Sequence, residues 1–86
     1  MEQEARIWLI PAYRKVVKRM RYKNGLKIRV ARERRGWTLA QLAEKVGKSA
    51  PYLSDIERGN RRGSYATLEV IARVLELPVE EIWEVA

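Results

Sequence analysis

The fold is decided by one stretch of the sequence, Thr38–Gly59, which reads TLAQLAEKVGKSAPYLSDIERG. It begins with Thr38 and Gln41, the Thr-x-x-Gln pattern of a capping box, which predicts that a helix starts here. Apolar residues then recur at i, i+3, i+4 and i+7, the spacing of one helix face: Leu39, Leu42, Ala43 and Val46. Gly47 is predicted to end this helix, because glycine readily adopts the left-handed backbone that terminates helices.

A second short helix is predicted directly afterwards, from Ala50 to Arg58. Ser49 is its N-cap, and Pro51 fits the first turn, where a backbone N–H has no intrahelical partner. Its apolar contacts would come from Tyr52, Leu53 and Ile56. Two helices this short are unstable alone, so the pattern indicates a bihelical unit. Such a unit can place the N-terminus of its second helix in a DNA major groove, which is about 12 Å wide. The alternative is a helical hairpin with no role on DNA.

Helical patterns flank this unit on both sides. The segment Leu26–Arg35 is predicted to be a helix with three inward residues, Leu26, Ile28 and Ala31. Beyond the unit, Ser64 caps a fourth helix whose apolar stripe is Leu68, Ile71, Ala72 and Leu75. After Pro78, a fifth helix is predicted over Val79–Val85. The expected fold class is therefore all-α, with a single strand candidate at Arg6–Ile10.

The charge is unevenly distributed along the chain. The net charge is +7, but residues 1–35 carry twelve Lys and Arg against three Glu, a balance of +9. The remaining residues have a balance of −2. A segment this basic favours a polyanionic partner, and nucleic acid before a membrane. A solvated basic surface without a partner is the alternative that charge alone leaves open.

The composition excludes several classes of function. With neither cysteine nor histidine in 86 residues, the chain lacks the commonest nucleophile, general base and metal ligands. We therefore expect no enzyme activity, no cofactor and no metal site. No apolar run approaches the ~20 residues of a membrane-spanning helix, and the N-terminus lacks the pattern of a signal peptide. A cytoplasmic protein is expected, which agrees with the absence of cysteine.

From Ile28 to about Trp83 the sequence resembles the lambda-repressor-like Xre/Cro family of helix-turn-helix domains. The matching motifs are Ile28-Arg29-x-Ala31-Arg32, Gly36-Trp37-Thr38, Leu42-Ala43-x-x-Val46-Gly47, Ser49-x-x-Tyr52-Leu53-Ser54-x-Ile56-Glu57-Arg58-Gly59 and Leu68-x-x-Ile71-Ala72-x-x-Leu75. The resemblance implies a compact five-helix domain over residues 24–86, after a basic N-terminal extension over residues 1–23. It also implies a transcription regulator, expected to be a repressor, that binds double-stranded DNA as a homodimer.

The resemblance implies roles for individual residues as well. The helix Ala50–Arg58 would be the recognition helix, with base-reading positions at Ala50, Pro51, Ser54 and Asp55. Phosphate contacts would come from the N-terminus of the preceding helix and from Lys48, Tyr52, Asn60, Arg61 and Arg62. The caps Thr38 and Ser49 complete the expected DNA-binding set. An ion pair between Arg32 and Glu57 would join the first predicted helix to the third.

Three features depart from the family pattern. Leu39 replaces the Gln that usually follows the cap, which removes one expected contact. Ala50 and Pro51 replace long polar residues and offer only apolar contact with a thymine methyl group. Asp55 can accept a hydrogen bond from cytosine N4 but repels phosphate. These departures keep a second function open, a protein-interaction module of the antitoxin or coactivator type in which DNA binding is secondary.

The N-terminal extension lies outside the resemblance. Its apolar residues fall near one helical face, at Ile7, Ile10, Tyr13, Val17 and Met20. Seven basic residues and no acidic ones lie between Arg6 and Lys23. Three interpretations remain: an extra helix or strand packed on the domain or on a partner subunit, an arm that touches DNA, and a helix on a membrane surface.

Overall fold

The computed structural model describes residues 20–84, which form four α-helices and one short 3-10 helix. The α-helices are α1 (Gly25–Arg34), α2 (Leu39–Val46), α3 (Ala50–Glu57) and α4 (Tyr65–Leu75), and the 3-10 helix spans Val79–Glu81. No strand occurs between residues 20 and 84, so the all-α class is confirmed for this part of the chain. The strand candidate Arg6–Ile10 lies outside the described residues.

The predicted fifth α-helix, Val79–Val85, is wrong as far as the structure describes it. Only one 3-10 turn forms, after which the chain leaves the helical path. Trp83 packs edge-on against Tyr65 with ring centroids 5.2 Å apart, and the Glu84 carboxylate accepts a hydrogen bond from the Asn24 backbone N–H. A helix of so few residues has little stability of its own, so these tertiary contacts decide the path of the chain.

The starts of α2 and α3, and the glycine after α2, are where the sequence predicted them. The Thr38 hydroxyl accepts from the Gln41 N–H at 3.1 Å, and the Gln41 side chain accepts from the Thr38 N–H at 2.7 Å, which completes the capping box. Gly47 follows α2 with a φ of 78°, which a glycine adopts without strain. The Ser49 hydroxyl then caps α3 by accepting from a first-turn N–H at 3.3 Å. Local hydrogen bonds therefore fix the turn between the two helices.

The core lies between the four helices. Its least exposed large side chains come from all of them: Ile28, Leu42, Leu53, Leu68, Ile71 and Leu75. α2 packs on α3 and α4, and α1 packs on the same two helices. α3 is held by its inner side, through Leu53 and Ile56, so its opposite side remains open to solvent.

α1 approaches α3 so closely at Gly25 that a side chain does not fit between them. A Cβ atom on Gly25 would lie 2.8 Å from the Glu57 carbonyl oxygen and nearer still to that of Ile56. The first residue of α1 therefore packs directly on the backbone of the last turn of α3. This contact sets the position of α3 relative to α1.

The predicted ion pair between Arg32 and Glu57 is confirmed. Arg32 Nε and Nη2 donate to the two carboxylate oxygens at 2.7 and 3.0 Å, and Nη1 donates to the Trp37 carbonyl at 2.8 Å. The side chains are 12% and 5% exposed, respectively. The hydrogen bond with Glu57 raises the pKa of Arg32 above its ordinary value. These hydrogen bonds tie α1, α3 and the start of α2 together.

Both ends of the described chain contact the centre of the domain. Met20 is buried, and the Tyr22 N–H donates to the Gly59 carbonyl at 3.0 Å, directly after α3. At the other end, the hydrogen bond between Glu84 and Asn24 closes the chain on the start of α1. The residues from Met20 onward therefore pack as part of the folded unit.

Candidate nucleic-acid interface

α2 and α3 both begin at the protein surface. Their caps, Thr38 and Ser49, are exposed, and each satisfies one first-turn N–H. The N–H groups of Leu39 and Ala40 precede the first intrahelical hydrogen bond of α2 and have no acceptor within the helix. Together with the positive end of the helix dipole, such groups suit a phosphate oxygen.

The predicted base-reading residues lie on the open side of α3. All four keep contact with solvent: Ala50, Pro51, Ser54 and Asp55. Leu53 and Ile56 occupy the buried side. The open face therefore offers apolar groups at its first turn and a hydroxyl and a carboxylate one turn later. Lys48 is exposed immediately before this face, on the turn that leads into α3.

A polar cluster forms at the C-terminal end of α3. Arg58 Nη2 donates to Asp55 Oδ1 at 3.2 Å, and Arg61 Nε lies 3.9 Å from Asp55 Oδ2. The Arg61 guanidinium also lies over the Tyr52 ring, 5.3 Å from its centroid. The Asn60 N–H donates to the Asp55 carbonyl at 2.9 Å. The structure thus brings together four of the predicted site residues, Tyr52, Asp55, Asn60 and Arg61.

Arg62 is placed differently from its neighbour Arg61. Its guanidinium lies over the Trp83 ring, 4.5 Å from the centroid, and its Nη1 donates to the Glu84 carbonyl at 3.2 Å. Arg62 therefore holds the C-terminal segment against the loop that follows α3. A phosphate contact by Arg62 would have to form beside these two partners or replace them.

Two features of this surface were not predicted from the sequence. Arg58 was not assigned a contact, although it lies three residues after Asp55, a spacing that pairs side chains on a helix. The second feature is Trp37, whose ring is approached by Lys45 Nζ at 4.6 Å and by the Arg35 guanidinium at 5.6 Å. These contacts place positive charge beside the start of α2.

Comparison with known proteins identifies the family of the chain. Residues 25–84 match a family profile described as a helix-turn-helix domain. The chain belongs to this helix-turn-helix family. It is 43% identical over 58 residues to the immunity repressor protein of Bacillus phage phi105, an alignment that covers 67% of this chain. The chain spans only 40% of the length of that repressor.

Two solved structures resemble this helix-turn-helix domain. SinR, the master regulator for biofilm formation, was crystallised in complex with DNA and superposes with a TM-score of 0.62 and 38% identity. That alignment covers 66% of this chain and 92% of the SinR chain. The restriction-modification controller protein C.AhdI from Aeromonas hydrophila superposes with a TM-score of 0.64 and 26% identity, over 86% of this chain and 100% of that chain.

Residues 20–84 of the helix-turn-helix domain carry neither a membrane-spanning helix nor a metal-binding cluster. None of its helices is long and apolar enough to cross a membrane. In the same range, no three His, Cys, Asp or Glu side chains lie together in a way that could hold a metal ion.

Proposed function

We propose that the chain is a sequence-specific regulator of transcription that binds double-stranded DNA with α3 in the major groove. The observation that carries this proposal is the open face of α3, which has Lys48 before it and Arg58 and Arg61 after it. Cations at both ends of a groove-sized helix suit the phosphates on either side of a major groove. The naming of the phage relative as a repressor and the SinR complex with DNA support the same function.

The proposed contacts divide into positioning and reading. The free amides at the start of α2 bind one phosphate, and Lys48 and Arg61 bind others, which orients the domain without selecting a sequence. Ser54 and Asp55 face base edges, where a hydroxyl can donate or accept and a carboxylate accepts from an amino group. Pro51 offers apolar contact to a thymine methyl group. Few residues therefore read bases, so we expect sequence-dependent DNA shape to contribute to specificity.

We propose that two copies of the chain act together on DNA. α3 has eight residues, which at about 1.5 Å per residue span about 12 Å, or roughly three to four base pairs. A site of that length recurs too often to select one promoter, whereas two half-sites about 34–36 Å apart specify twice as many bases. Sedimentation equilibrium with a saturating duplex is expected to show two protein chains per DNA. A one-to-one complex at saturation would contradict this part of the proposal.

Binding to a duplex at several salt concentrations tests the main proposal. We expect affinity for the DNA upstream of the chain's own coding region to fall steeply with salt, by about 0.9 in log K per log salt for each phosphate bound. Lys48→Gln is expected to reduce that slope by about 0.9 per copy. Arg73→Gln is the matched control, because Arg73 is an exposed cation in the last turn of α4. No binding at low salt would refute the proposal and favour a protein-interaction module.

The direction of regulation is a further part of the proposal. We propose repression, because a domain seated on a promoter excludes polymerase without requiring any additional surface. We place this action in the cytoplasm, the compartment that the absence of cysteine favours. A reporter gene under the bound promoter is expected to be less active when the chain is expressed. Higher reporter activity would show that the chain activates transcription instead.

A further inference from the structure

Asp55 puts a negative charge on a surface that is otherwise suited to phosphate. α3 carries two acidic residues, and the other, Glu57, is buried against Arg32. Asp55 is thus the acidic residue of α3 that faces outward, with 36% of its side chain exposed. A carboxylate at this position adds negative charge near the phosphates of any duplex that the open face of α3 approaches.

The carboxylate of Asp55 is shared between two arginines. One oxygen accepts from Arg58 at 3.2 Å, and the other lies 3.9 Å from Arg61. The arginine side chains are 65% and 60% exposed. Ion pairs this exposed contribute only about 0–1 kcal/mol, so phosphate can withdraw either arginine at little cost. Asp55 therefore does not lock the arginines in place, and its lasting effect is on the charge of the surface.

The charge of this cluster decides how it behaves on DNA of arbitrary sequence. Arg58 and Arg61 would present two positive charges, and Asp55 reduces that total to one. Binding to arbitrary sequence depends almost wholly on phosphate neutralisation and counterion release. Each copy of the chain therefore releases about one counterion fewer on arbitrary DNA than the same surface without Asp55.

We infer that Asp55 is a specificity-determining residue that lowers affinity for DNA in general. On arbitrary sequence, its carboxylate meets phosphates or base acceptors and is repelled. On a site that places a cytosine or adenine amino group opposite it, the carboxylate accepts a hydrogen bond, which offsets the repulsion. Asp55 thus selects its site mainly by weakening the competing complexes. This inference rests on the proposed DNA-binding function.

The test compares wild-type protein with Asp55→Asn on a duplex of mixed sequence. Asparagine has nearly the same shape but no charge, so the net positive charge of the cluster rises from one to two. We expect the slope of log K against log salt to steepen by about 0.9 per copy, which at 0.1 M salt corresponds to affinity about eightfold higher. Discrimination between a selected site and the mixed duplex is expected to fall, because affinity for the mixed duplex rises more.

Two variants separate a local effect from a change in net charge. Asp55→Asn with Arg58→Gln restores the original charge of the cluster and should return the slope to the wild-type value. Glu80→Gln changes the net charge equally, but Glu80 is exposed on the 3-10 helix, outside the α2–α3 surface. It should change the slope far less. Melting curves for each variant check that the fold is intact. We expect it to be intact, because the backbone hydrogen bonds of Asp55 do not depend on the charge of its side chain.

The outcomes distinguish this inference from the proposed function. One outcome is that wild-type protein binds with a steep salt slope while Asp55→Asn leaves the slope unchanged or shallower. In that case Asp55 does not lower affinity for DNA in general, and the proposed DNA-binding function stands. An equal steepening by Glu80→Gln would also overturn the inference, because net charge alone would explain the result. If wild-type protein binds no duplex at low salt, the proposed function itself fails.

Discussion

Replacing Gly25 by alanine should destabilise the domain, although the same exchange usually stabilises a helix. Alanine in a helix is favoured over glycine by about 0.5–1 kcal/mol. At Gly25, however, the added Cβ would lie 2.8 Å from the Glu57 carbonyl oxygen and closer to that of Ile56. Carbon and carbonyl oxygen normally stay about 3.3 Å or more apart. Both obstacles are backbone atoms of α3, so a side-chain rotation cannot relieve the overlap.

The magnitude follows from what must move. Accommodating the methyl group pushes the start of α1 away from the end of α3, and over-packing of this kind typically costs about 1–3 kcal/mol. The same two helices are joined by the hydrogen bonds of Arg32 with Glu57, which stretch if the helices separate. After the gain in helix propensity is subtracted, we expect a net loss of about 1–2 kcal/mol. In a domain of this size that lowers Tm by about 4–16 °C.

Thermal unfolding followed by circular dichroism measures this change. Gly36→Asn is the control, because Gly36 has a φ of 70° and open space where its Cβ would lie. Asparagine tolerates that backbone conformation better than most residues, so only a small loss is expected. A Tm for Gly25→Ala equal to or above that of the wild type would refute the close approach of α1 to α3.

Three further predictions concern stability and the N-terminal extension. Arg32→Ala and Glu57→Ala should each cost up to about 3–5 kcal/mol, because each strands a largely buried charge, while the double variant loses much less than the sum. Additive losses in the double-mutant cycle would contradict this. Glu76→Gly should raise the free energy of unfolding by about 0.5–1 kcal/mol, because Glu76 has a φ of 56° that glycine adopts without strain; a lower Tm would count against it. Removing residues 1–19 should leave a folded unit that binds duplexes more weakly and with a shallower salt slope, because this basic segment joins the fold beside Gly59. An unchanged slope with a lower Tm would favour packing instead.

The features predicted correctly from residue patterns alone are those that neighbouring residues determine, whereas the ion pair of Arg32 with Glu57 followed from the family resemblance. The capping box of Thr38 and Gln41 and the left-handed turn at Gly47 depend on atoms within a few residues, so their pattern is sufficient. The burial of Leu53 and Ile56 and the exposure of the opposite face of α3 follow from helical spacing.

Most of the features that the sequence did not predict depend on distant contacts, although the pairing of Arg58 with Asp55 is local. The C-terminal segment was assigned a helix, but Trp83 and Glu84 turn aside to meet residues far earlier in the chain. Arg62 could be recognised as basic, but nothing in its neighbourhood indicates that Trp83 lies 4.5 Å from it. The contact of Gly25 with the α3 backbone is equally remote in sequence, since a glycine at a helix start has several local explanations.

The hydrogen bond between Asn24 and Glu84 bears on how the chain could be rearranged. Because these residues are neighbours in space, a short linker could join them, and the chain could be reopened in the exposed turn at Gly36. Such a circularly permuted protein would keep the contacts of α3 with α1 and α2 and should fold, as permutation usually succeeds at exposed turns. The loop after α3 contacts both ends of the described chain, through Gly59 with Tyr22 and through Arg62 with Glu84. A protein domain fused at Met20 or at Glu84 would therefore begin beside this loop.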